Sequence, residues 1–214
     1  MTNTGAATKV DCRRERGRRT REAILGHAAR LASAEGLDAV SLQRLADDLG
    51  MSKSGLFAHF GSKEELQLAT VEEAARIFTE EVLRPGLTPP AGVARVQALC
   101  DAYLSYLKRG VFPGGCFFQA AITEFDGRPG PVRDAVAGKG GYWAKTLVRA
   151  VREAQAAGEL DASVDPEQLG WELKTLLVGA SDGYAFEGPE SPAFARAGRA
   201  VRERLEGVSA ERRA

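Results

Sequence analysis

The chain has 214 residues, 44% hydrophobic and 27% charged, with 29 basic side chains balanced by 29 acidic ones. It is long enough to bury a sizeable core without disulfide staples, and no apolar run approaches the roughly 20 residues of a membrane helix, so no membrane partner is expected. Three cysteines (Cys12, Cys100, Cys116) without a CxxC pair, and two histidines (His27, His59), offer neither a zinc site nor a disulfide framework, which points to a reduced, cytoplasmic protein.

The neutral total hides an asymmetry. Residues 1–21 carry seven basic groups against Asp11 and Glu15, residues 1–64 carry eleven against eight, and the remainder is therefore net negative by three. A positive end on a mildly negative body suits a protein that offers one face to phosphates, although a solvated tail has the same charge. Residues 1–17 mix Thr, Gly, Ala and Arg without apolar period and read as a flexible basic arm. From Thr20, a candidate N-cap, Ile24, Ala28, Leu31 and Ala32 share one helical face, predicting a first helix over about 20–35 that stops at Gly36.

Ser41 and Ser52 each precede a short helix, over about 41–48 and 52–58, with Gly50 between them. Ser62 and Glu65 form a capping box that opens a longer helix reaching about Val82. Pro85, Pro89, Pro90 and Gly92 mark a linker. Beyond it, apolar stripes predict helices through Val96–Leu107 and Trp143–Ala154, with a short apolar segment between them. Asp165, Pro166 and Gln168 start a helix to about 186, and Ser191 and Pro192 start a last one to about 206. No strand alternation occurs, so the predicted fold is all-α with about nine helices. Its parts are an arm (1–17), a helix-turn-helix domain (18–79) and a C-terminal helical domain (85–214).

The segment SLQRLADDLGMSKSGLFAHF, Ser41–Phe60, carries the most chemistry. Two capped helices meet at Leu49-Gly50-Met51, where Gly50 supplies a positive φ and Ala46 permits a close crossing. That is helix-turn-helix geometry, with Ser52, Lys53, Ser54 and Gly55 at the N-terminal end of the helix that would enter a major groove. Two short helices alone also fit a hairpin inside any bundle.

The continuous stretch TREAILGHAARLASAEGLDAVSLQRLADDLGMSKSGLFAHFGSKEEL, Thr20–Leu66, resembles the N-terminal domain of the tetracycline-repressor (TetR) family, including its GxSxxxxxxHFxSKEEL part. The resemblance implies that helix three reads the groove, that Lys63 binds phosphate, and that Thr20, Ser41, Lys53, Phe57 and His59 fall where family members touch DNA; Arg18, just before the matching stretch, is a further candidate for DNA contact. Phe57 stands where the family often has tyrosine, which removes a hydroxyl donor, and Ala58 stands where it often has a polar or aromatic residue. His59 fits a contact or a ring packed behind the reading helix. The partners so implied are double-stranded operator DNA, a second copy of the chain and a small-molecule effector.

The C-terminal half resembles the family in layout, and GGCFFQAAITEFDGRPGPVRD looks like one recurrent subgroup. That layout implies a ligand cavity, for which Cys100, Tyr103, Leu107, Phe117, Phe118, Trp143, Leu147, Trp171 and Leu177 are candidates, although the same residues suit a core. It also implies a dimer interface on the last two helices, with Gly179, Ala180, Tyr184, Ala197, Gly198 and Val201 as candidates. Cys100 and Cys116 could sense oxidants, although buried thiols are usually inert.

An enzyme is disfavoured: the two histidines lie far apart, there is no GxSxG, and the GKGG run at 138–141 follows no strand. No cofactor or metal is expected. The expected function is a sequence-specific transcriptional repressor released by a small, mainly apolar ligand; an activator or effector-independent DNA binder is the alternative.

Overall fold

The computed structural model describes residues 4–210, with side chains from Glu15 onward. Among them are nine helices of eight residues or more, three short helical turns (Thr79–Leu83, Arg84–Gly86 and Gly188–Glu190), and no strand, only an isolated bridge between Leu160 and Ser209. The expected all-α architecture is observed.

The N-terminal head consists of α1 (Thr4–Glu35), α2 (Leu42–Leu49) and α3 (Lys53–Phe60), followed by α4 (Lys63–Phe78). Helix α1 begins well before position 20, so the stretch read as a flexible arm is helical from Thr4; residues 1–3 lie outside the described residues. Part of its support comes from charge pairs one turn apart. Glu15 takes both Arg18 and Arg19, and Arg18 also reaches Glu22, which favours helix where no apolar stripe exists. Thr20 is not a cap, because its hydroxyl donates to the Arg16 carbonyl 3.0 Å away in mid-helix.

The three serine caps form as read. Ser41, Ser52 and Ser62 accept the N–H of Arg44, Gly55 and Glu65, respectively, and Gly50 adopts φ +62° between α2 and α3. The reciprocal half of the Ser62 capping box is absent, since the Ser62 N–H donates to the Phe60 carbonyl. Ile24, Leu25, Ala28, Leu45, Leu56 and Phe60 close the head's core, with the Arg21 guanidinium 4.9 Å above the Phe60 ring.

A π-helical turn, Thr79–Leu83, carries α4 into the single turn α5 (Arg84–Gly86), so the expected linker begins as helix. Gly86 is required there, because a Cβ would lie 2.8 Å from the Leu99 Cα. The body comprises α6 (Val93–Lys108), α7 (Phe117–Phe125), α8 (Pro131–Ala156), α9 (Pro166–Glu187) and α10 (Ala193–Gly207). Its buried side chains are continuous with those of the head.

Five of the six residues expected at a dimer interface, Ala180, Tyr184, Ala197, Gly198 and Val201, are buried inside the protomer, and only Gly179 is exposed. Gly198 faces Leu104 of α6, and the Tyr184 ring packs on Phe194. The apolar stripes of α9 and α10 are their inward faces, which is what a helical stripe normally marks.

Candidate DNA interface and ligand cavity

Helix α3 buries Leu56 and Phe60 and turns Lys53, Ser54, Phe57 and Ala58 outward on one face. Phe57 is 56% exposed, although its ring would gain by burial. Lys53 has no acidic partner among the described residues. Ser52 is spent on capping, while its hydroxyl also meets that of Ser54 at 3.3 Å. Gly55 and His59 are half-buried at the edges of the open face, the His59 ring 6.1 Å from that of Phe60. Ser41 caps α2 at a half-buried position, and Thr20 is half-buried on α1.

The expected phosphate contacts are not free cations. Lys63 Nζ donates to Asp38 Oδ1 at 2.8 Å, and Arg128 approaches the other oxygen at 3.4 Å. The Lys63 ammonium thereby holds the Asp38 carboxyl below the usual carboxylate range. Arg18 is engaged by Glu15 and Glu22. Sequence reasoning missed Asp38 because the pair joins residues 25 positions apart.

A cavity of about 580 Å³ opens in the body, within the size range of drug-sized ligand sites. Four candidates line it: Tyr103, Phe118, Trp143 and Leu177. Cys100, Leu107, Phe117 and Leu147 are buried but belong to the core, and Trp171 is 62% exposed on the outer face of α9. The candidates omitted Phe78 and Cys116 in the wall, together with Gln119, Lys139 and Lys174.

Five aromatic rings, those of Phe78, Tyr103, Phe118, Tyr142 and Trp143, stand in the wall. Tyr103 and Trp143 stack with ring centroids 5.9 Å apart, and Phe78 meets Trp143 edge-on at 5.4 Å. Burial pushes the Tyr103 phenol well above its ordinary value, with Cys116 adding to the shift, so it remains a neutral hydrogen-bonding group. Burial also pushes the Cys100 thiol up to about 12. Among the described residues no cluster of three or more His, Cys, Asp or Glu could hold a metal, and no helix is long and apolar enough to cross a membrane.

Two family profiles cover this arrangement: "Bacterial regulatory proteins, tetR family" over residues 24–70 and "Tetracyclin repressor-like, C-terminal domain" over residues 92–201. The transcriptional regulator AcuR of Cereibacter sphaeroides is 26% identical over 188 residues, 80% of this chain and 84% of that protein. The crystal structure of a TetR transcriptional regulator from Chloroflexus aurantiacus superposes with a TM-score of 0.83 at 25% identity, covering 91% of this chain and 98% of that one. AibR, solved with isovaleryl coenzyme A and operator DNA, shares the fold with a TM-score of 0.67 at 22% identity, over 89% of this chain and 98% of that one. The reading helix and the helical body are thus matched by one family, the body profile alone spanning more than half of the chain, and the chain belongs to the tetR family of bacterial regulatory proteins, DNA-binding transcriptional regulators.

Proposed function

We propose that the protein is a cytoplasmic repressor, a homodimer released from a near-palindromic operator when a small, mainly apolar ligand fills the body cavity. The observation that carries this reading is the double role of α4. It begins at Lys63 in the DNA head, and its far end supplies Ala75 and Phe78 to the cavity wall. A ligand pressing on Phe78 tilts the helix that holds the head. Only a ligand that prefers the DNA-incompetent spacing of two heads shifts the balance. The AibR structure supports a fold that accommodates both ligand and operator.

The dimer is proposed through the outer face of α9 rather than its inner stripe. Trp171, Thr175, Gly179, Asp182 and Phe186 follow one another by three or four positions on one exposed face, and Phe186 is 91% exposed. Large apolar side chains standing in water at both ends of one helix suit contact with a second copy.

The test uses Trp143, in the cavity wall, as reporter in a Trp171→Phe variant. Isovaleryl coenzyme A and a panel of apolar carboxylic acids are titrated into free protein and into its complex with duplex from upstream of its own gene. Reciprocity requires that a compound weakening DNA binding tenfold, about 1.4 kcal/mol, bind the complex tenfold more weakly. Equal affinities for every compound that quenches Trp143 would overturn ligand-driven release.

A further inference from the structure

We propose that α7 is a second link between cavity and DNA head, acting beside α4, and that Glu124 is the residue through which it positions the head. This rests on the reading above in which the state of the cavity governs DNA binding. Helix α7 has two working faces. Phe118, Gln119 and Ile122 line the cavity, whereas Glu124 lies about 200° around the helix from Ile122 and faces the head.

There its carboxylate grips the turn between α1 and α2 with both oxygens. Oε2 accepts the Leu37 N–H at 2.7 Å and Oε1 accepts the Asp38 N–H at 2.8 Å. Two adjacent backbone N–H groups that donate to the two oxygens of one carboxyl group fix direction as well as distance. Gly36 makes room for them, because its φ is +93° and even a Cβ there would sit 3.2 Å from both oxygens.

The gripped turn distributes to the reading unit. The Leu37 carbonyl accepts from the buried Gln67 amide of α4, and the Asp38 side chain holds Lys63. Ser41, three residues on, caps α2. The approach to α7 is fastened as well: the Gly114 N–H donates to Ser33 Oγ at 3.3 Å, and a Cβ on Gly114 would lie 1.7 Å from the Ser33 carbonyl oxygen. Arg128, just beyond α7, closes the frame on Asp38 at 3.4 Å. With the last turn of α7 and the chain on both sides of the helix tied to the head, a wall that moves outward must carry the 36–38 turn with it or break these bonds.

The fold contains a way to push on this wall without a ligand. Gly140 of α8 faces Ile122, and a Cβ there would lie 2.8 Å from Cδ1, the movable end of that side chain, so a bulky Gly140→Leu, rather than an alanine from which Ile122 can turn aside, is the substitution that loads the cavity face of α7. The full-length chain is compared as wild type, Gly140→Leu, Glu124→Ala and the double variant, with Glu124→Gln replacing Glu124→Ala if the latter does not fold. Hydrogen exchange over residues 36–41 and affinity for duplex from upstream of its own gene are measured.

Gly140→Leu is expected to change both readouts more than about twofold when Glu124 is present and to leave them unchanged when it is absent, the non-additivity of groups acting in series. Equal effects of Gly140→Leu in both backgrounds, or none in either, would overturn the proposal. A wild-type protein that binds no duplex counts against the regulator reading, and the exchange measurements then decide alone whether Glu124 carries the signal.

Discussion

Lys63 Nζ lies 2.8 Å from Asp38 Oδ1, so the ammonium at the start of α4 meets a carboxylate before it meets any phosphate. The family resemblance puts a phosphate at Lys63, so DNA and Asp38 would compete for one cation. Asp38→Asn should therefore strengthen binding to duplexes of any sequence by up to about fivefold, the range of an exposed ion pair. Lys63→Ala should weaken all duplexes alike and remove about 0.9 from the logarithmic salt slope. Because the folded Asp38 pKa is lowered, the pair contributes above the ordinary carboxylate value and is lost as pH falls through the depressed one. Affinity measured by anisotropy between pH 6 and 8, about two units and more above that value, should carry no Asp38 titration. An unchanged affinity in Asp38→Asn would remove the competition.

The two serines at the start of α3 do different work and separate in experiment. Ser52→Ala removes a cap and should cost about 1 kcal/mol in urea unfolding, with weaker binding to every duplex. Ser54→Ala should leave unfolding unchanged and alter the ranking of duplexes that differ in one base pair. Identical unfolding curves for wild type and Ser52→Ala would show that the cap is unimportant.

On α9, Trp171→Glu with Phe186→Glu should yield a folded single chain by sedimentation at micromolar concentration, where the wild type sediments as two. Gly183→Leu should instead unfold the protomer, because a Cβ there would lie 2.4 Å from Ala193 Cβ. A wild type with the mass of one chain would eliminate the proposed interface.

Cys100 is buried with its thiol pushed up to about 12, so it should resist a disulfide reagent such as dithionitrobenzoate in a Cys12→Ser, Cys116→Ser background until the chain unfolds. The barrier is burial, seconded by the neighbouring Asp101 carboxylate. Rapid labelling of native protein would show that the α6 core opens readily.

The serine caps were legible in the sequence because each is settled within three residues. Thr20 misled for a related reason: the same hydroxyl that caps a helix also bonds back to a carbonyl in mid-helix, and only the charge pairs of Glu15 reveal that α1 continues. The family and the reading helix were legible because a continuous motif carries them. Tyr103 and Trp143 were found in the wall because aromatic residues are few, yet Leu107 and Leu147 carry an identical apolar signal and are core. Periodicity tells inside from outside but not wall from core. Glu124 had no local mark, since its partners Leu37 and Asp38 are 87 and 86 residues away.

The π-helical turn after α4 fixes the compass bearing of the whole head. The Arg84 N–H donates to the Thr79 carbonyl five residues back, so this turn holds one residue more than an α-helical one. Each residue turns a helix by about 100°, and straightening the turn would swing everything before it by that angle relative to the body. The side chains on the open face of α3 would survive such a change, but Phe78, which precedes the turn, would leave Tyr103 and Trp143, and Glu124 would lose Leu37 and Asp38. The reading helix would point away from the groove, and in a two-fold assembly both heads would lose their phasing at once. Straightening at unchanged length would therefore act as a change of aim, whereas loss of a single residue between 79 and 83 would remove the surplus residue, restore an ordinary α-helical turn and leave the aim in place.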